Sequence, residues 1–65
     1  MNSKDAVVNK LMKDGLSREK AEAEYRNIRS QIMNMIYDGR GVSATEDVFM
    51  EMTGLEPDYM EGMIL

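Results

Sequence analysis

Residues 17 to 38 read SREKAEAEYRNIRSQIMNMIYD, the longest stretch of the chain without glycine or proline. Ser17 suits a helix cap, because its hydroxyl can accept a bond from an amide with no partner in the first turn. Glu19 adds negative charge at the positive end of that helix. Ala21, Tyr25, Ile28, Ile32 and Met35 then recur at alternating spacings of four and three, and Met33, Ile36 and Tyr37 broaden the face near its end. This predicts one helix of about 21 residues, roughly 30 Å long, with a heptad seam. An element of that length in a chain of 65 residues must be covered by several shorter helices or by a second copy.

Toward the amino terminus, Asn2 or Ser3 can cap a first helix that carries Val7, Val8, Leu11 and Met12 on one side. Gly15 stops it, since glycine takes the left-handed conformation easily, and Leu16 can fold back on the helix just ended while stapling against Ala21. Beyond the long helix, Gly39, Arg40 and Gly41 form a connection, and Ser43 with Glu46 makes a capping-box pattern that predicts a third helix from Ala44. That helix carries Val48, Phe49 and Met52 inward and ends before Gly54. Pro57 and Asp58 suit the first turn of a fourth helix, along which Tyr59, Met60, Met63 and Ile64 share a face, and Gly62 weakens it. No segment alternates long enough for a sheet. The expected fold is all-α: a single domain over residues 1 to 65, a small bundle of about four helices with a long second helix, arranged as two hairpins.

Composition narrows the function classes. Charged residues make up 31% of the chain and apolar ones 43%, too hydrophobic for a disordered acidic tail, so folding is expected. A chain this small hides only roughly 60% of its extended surface, so a partner or a second copy can decide how robust the fold is. Without cysteine there is no disulfide scaffold. No run approaches the roughly 20 apolar residues of a membrane span, and no signal-peptide stretch opens the sequence, so a cytoplasmic protein is expected with no membrane partner.

Catalytic and metal chemistry have few candidates. With no histidine and no cysteine, the common neutral-pH base, the thiolate nucleophile and the usual zinc ligands are missing. Ser17, Ser30 and Ser43 lack a base partner, and Glu22 four residues before Arg26 reads as an exposed helical ion pair. Glu46, Asp47 and Glu51 make a sparse carboxylate group, with Glu46 assigned to the capping box. The segment Asp38-Gly39-Arg40-Gly41 lacks the lysine and hydroxyl of a phosphate loop, and Arg40 stands where a calcium loop needs an oxygen ligand. The expectation is a non-enzyme with no cofactor, catalytic residue or metal site.

Charge supplies the functional clue. All eight Lys and Arg residues precede Ser43, whereas residues 43 to 65 contain six acids and no base. This half can steer toward a basic or mixed protein surface and repels a phosphate backbone. Glu51, Glu56, Asp58, Met60, Glu61 and Leu65 are therefore the candidate partner-binding residues, the acids as a rim and the others as apolar contacts. The alternative is direct nucleic-acid binding, because residues 48 to 63 resemble a helix-turn-helix unit; its would-be recognition helix, however, offers Glu56, Asp58 and Glu61 where base and phosphate donors are needed. A regulatory adaptor is the favoured reading and nucleic acid is disfavoured. Ala21, Tyr25, Ile28, Ile32 and Met35 are candidates for homodimerisation, the competing account being an intrachain core with Val8, Leu11, Phe49 and Met60. Methionines in every expected helix can fill gaps or adapt to a partner, and Met50 cannot share the inward face of Val48, Phe49 and Met52.

Overall fold

A computed structural model describes residues 3 to 64 and contains four helices: α1 (Ser3–Lys13), α2 (Arg18–Tyr37), α3 (Val42–Thr53) and α4 (Asp58–Ile64). The chain is a small all-α bundle built on a long second helix. Asn2 and Leu65, named above as a cap and a partner contact, lie outside the described residues.

The helix ends follow local chemistry. The Lys20 amide donates to the Ser17 hydroxyl, 3.3 Å away, which caps α2. At Gly15 the chain turns left-handed; the Gly15 amide donates to the Met12 carbonyl and the Leu16 amide to the Leu11 carbonyl. Those two bonds satisfy carbonyls that the end of α1 would otherwise orphan, and they direct Leu16 back toward the core. Gly39 repeats the motif at the end of α2, with Arg40 donating to Met35. At Gly54 a single bond to the Met50 carbonyl ends α3.

The core gathers Val7, Val8 and Leu11 of α1, Ala21, Ile28 and Ile32 of α2, Phe49 of α3, and Met60 and Met63 of α4. Ala21, Ile28 and Ile32 are fully buried by the chain's own helices, and Tyr25 and Met35 are half-buried. The accessible surface of 4366 Å² is close to the ~4,200 Å² that size scaling gives for a compact chain of 7.4 kDa.

Two local expectations are corrected. The second hairpin does not form: α4 packs chiefly on α1 and then on α2, and approaches α3 only sparsely. Gly62, which weakens α4 by propensity, also faces α1: a Cβ at that position would overlap the Ser3 hydroxyl unless that hydroxyl turned away, and would stand 3.1 Å from the Ser3 Cβ. The far end of α4 is tied to α2 by Arg29, whose Nε donates to the Met63 carbonyl at 3.1 Å, placing a cation at the negative end of a short helix. The ion pair expected between Glu22 and Arg26 runs the other way: Glu22 reaches back one turn to Arg18, at 3.8 Å. Helical spacing places Glu22 equally near bases four residues before and after it, so sequence alone does not choose.

Two buried threonines were not foreseen. Thr53 donates to the Phe49 carbonyl at 2.8 Å and accepts from the Leu55 amide at 3.1 Å, so one hydroxyl completes the end of α3 and the turn after it. Among the described residues no buried side-chain nitrogen or oxygen lacks a partner.

Two outcomes follow for stability. Ile28→Ala is expected to cost about 2 to 4 kcal/mol in urea denaturation followed by circular dichroism, with no change of sedimented mass, because the cavity opens inside one chain. Gly62→Ala is expected to destabilise by about 1 kcal/mol despite its better helix propensity. In a Ser3→Gly background, where no Cβ obstructs α4, the same change should become stabilising by up to about 1 kcal/mol.

Candidate functional site

The first turn of α3 is where the site begins. Gly41 adopts φ +88°, a conformation that costs glycine little, and this lets α3 start at Val42, two residues ahead of the expected Ala44. The Ser43 and Glu46 capping box is therefore not made: Ser43 lies within the helix and exposed, and no side chain caps α3. In its place the Thr45 hydroxyl donates to the Gly41 carbonyl at 2.6 Å. Released from a capping role, the half-buried Glu46 lies on the wall of a groove.

That groove encloses about 390 Å³ and exists because α4 leans on α1 rather than on α3. Its walls are Val42, Thr45 and Glu46 from α3 and Met60, Glu61 and Ile64 from α4, and Ile36 at the end of α2 closes it. Met60 and Thr45 are buried and form its base. Among the described residues the lining is apolar apart from the Thr45 hydroxyl, already bonded to the backbone, and two carboxylates on different helices, and it includes no lysine or arginine.

Exposed apolar surface collects beside this groove. Among the described residues the exposed large hydrophobic side chains are Ile36 (39% exposed), Tyr37 (79%), Val42 (68%) and Met50 (38%). Ile36 and Val42 line the groove, and Tyr37 adjoins Ile36 on the chain. Scattered exposed apolar residues are ordinary, but Ile36 and Val42 stand together at the mouth of an apolar cleft.

A second, shallower groove of about 260 Å³ lies between α1 and the turn after α3, lined by Ala6, Asn9, Lys10, Lys13 and Leu55. Its Lys10 ammonium pairs with Asp14 at 2.9 Å and its side chain passes over Gly54.

The residues named from sequence fare unequally. Met60 and Glu61 meet in the main groove, whereas Glu51, Glu56 and Asp58 are exposed and outside its lining. Ile36, Val42, Thr45 and Glu46 join the site without having been named for it, and Ile64 joins from the apolar end of the chain. Of the α2 seam residues, Ala21, Ile28 and Ile32 face the core. In the helix-turn-helix reading the recognition element is α4, only seven residues long, with Met60 and Met63 buried and Asp58 and Glu61 exposed. Among the described residues no cluster of carboxylates is arranged to hold a metal ion, and no helix is long and apolar enough to cross a membrane. In comparisons with protein-family models, curated proteins and solved structures, nothing matches the chain.

Because Val42 and Glu61 sit at the rim, they are expected to be dispensable for folding. Val42→Ser and Glu61→Gln should each change unfolding free energy by less than about 0.5 kcal/mol, measured by urea denaturation, in contrast to the buried Ile28.

Proposed function

We propose that this chain is a small, non-catalytic protein-interaction module, a regulatory adaptor whose acidic carboxyl-terminal half engages a protein with a basic or mixed surface. The observation that carries this reading is the coincidence of two independent features in one place. Of the described residues that line the apolar groove, Thr45, Glu46, Met60, Glu61 and Ile64 belong to the segment that contains no lysine or arginine, so desolvation and electrostatic steering favour the same approach. Glu51, Glu56 and Asp58, exposed beyond the groove, extend the acidic field that a basic partner would meet, and Met60 and Glu61 belong to the contact itself. Charge of this sign opposes a nucleic-acid role for α4, since neutralising phosphates requires cations.

The test is affinity capture of the full chain from its native cell extract at low and high salt, followed by cross-link mapping. A reproducible protein partner is expected, retained less at high salt, with cross-links from its lysines to acids of α3, α4 and the turn between them. Retention of a nucleic acid or a metabolite instead, or cross-links confined to α1 and α2, would overturn the proposal.

A further inference from the structure

We infer that the groove between the first turn of α3 and α4 receives a short amphipathic helix from another protein, one that presents two large apolar side chains a turn apart with lysine or arginine beside them. This rests on the interaction reading above and names the anchor site and the shape of its occupant.

The groove's size sets the first limit. About 390 Å³ is at the low end of the range for ligand clefts, enough for a few side chains rather than for the whole face of a long helix. Its lining sets the second. Between the two carboxylates the lining is Met60 and Ile64 on one side and Ile36 and Val42 on the other, with the Thr45 hydroxyl donated to the Gly41 carbonyl, so the middle of the groove is apolar. The anchoring side chains must therefore be apolar, and the methionine can adapt to their shape. Charge sets the third limit: Glu46 and Glu61 border the groove on different helices with no cation between them, so bases flanking the anchors would meet carboxylates on both sides.

Backbone form follows by elimination among the common modes of peptide recognition. The described residues form four helices and no strand, which leaves no sheet edge for an added strand to pair with. Proline-rich segments dock on grooves lined by aromatic rings, and no aromatic side chain lines this one. The remaining mode is a helix laying apolar anchors, about 5 to 6 Å apart at successive turns, into an apolar cleft.

A second copy of this chain fits less well. Its bases belong to the first 42 residues, where Val7, Val8, Leu11, Ala21, Ile28 and Ile32 are buried. Its Ile36 and Val42 line its own groove, and on the face of α2 that carries Arg26 and Arg29 the half-buried Met33 leaves Tyr37 as one exposed anchor where two are needed.

The experiment uses the isotopically labelled full chain and three synthetic helical peptides. The first carries two leucines one turn apart on an alanine and lysine background, the second has serines in place of the leucines, and the third has glutamates in place of the lysines. Only the first is expected to shift the amide resonances of Val42, Thr45, Glu46, Met60 and Glu61 together. Glu46→Gln with Glu61→Gln, or Val42→Ser alone, should weaken it by about tenfold, whereas Glu51→Gln with Glu56→Gln should leave it within about twofold. Equal binding of the serine or glutamate peptide, shifts centred elsewhere, or groove resonances that move with the chain's own concentration would overturn the inference. If the peptide fails while a captured partner still cross-links to acids of α3 and α4, the groove assignment falls and the interaction reading stands. If both fail, the reading itself falls.

Discussion

The structure depends on a mismatch of lengths. α2 has 20 residues and runs nearly the full 33 Å of the molecule, while α1 has 11, α3 has 12 and α4 has seven. No one of the shorter helices can cover the apolar face of α2, so three must share it, each held against a different part of the same seam. Ala21, Ile28 and Ile32 mark the part that is fully covered. Ile36 and Tyr37, at the last turn, mark where the covering runs out. The groove is the geometric remainder of that arrangement: α3 and α4 both serve α2, but α4 is drawn toward α1, and the space between them is not filled.

Much of the fold was legible because the stop and start signals act locally. Gly15 and Gly39 end helices by the same backbone geometry wherever they occur, and Ser17 caps α2 through a bond that depends on three residues. The failures were equally physical. Ser43 and Glu46 satisfy a capping pattern, yet Gly41 offers an earlier start that needs no side chain at all, and the earlier start prevailed. Thr45 and Thr53 read as polar positions, although each hydroxyl bonds a carbonyl one turn back and so enters the core with its hydrogen-bonding capacity met. Gly62 weakens α4 by propensity, which concerns one helix and carries no sign that the same residue faces Ser3, 59 positions earlier in the chain.

The site was legible in its chemistry more than in its membership. Counting charges located the acidic half, and the apolar pattern of the last helix singled out Met60 beside Glu61. Glu46 was assigned to a local bond that is not formed, which concealed its place on the wall. Val42 and Ile36 belong to the groove only because α2, α3 and α4 converge there, and that convergence depends on which neighbour α4 chooses. Linear spacing carries no record of that choice.

The brevity of α4 has a thermodynamic consequence. Seven residues with a glycine among them form no stable helix alone, so α4 exists as such by virtue of its packing on α1 and α2 and the bond from Arg29 to the Met63 carbonyl. The same helix contributes three of the groove's walls, Met60, Glu61 and Ile64. If the groove is occupied as proposed, helix docking and occupancy are linked equilibria: undocking dismantles the groove, and an occupant that touches α4 only in its docked state draws the population toward that state. On that proposal the apparent affinity of the groove is its intrinsic affinity scaled by the docked fraction, so a change anywhere along the α1 to α4 contact would tune binding without touching the ligand.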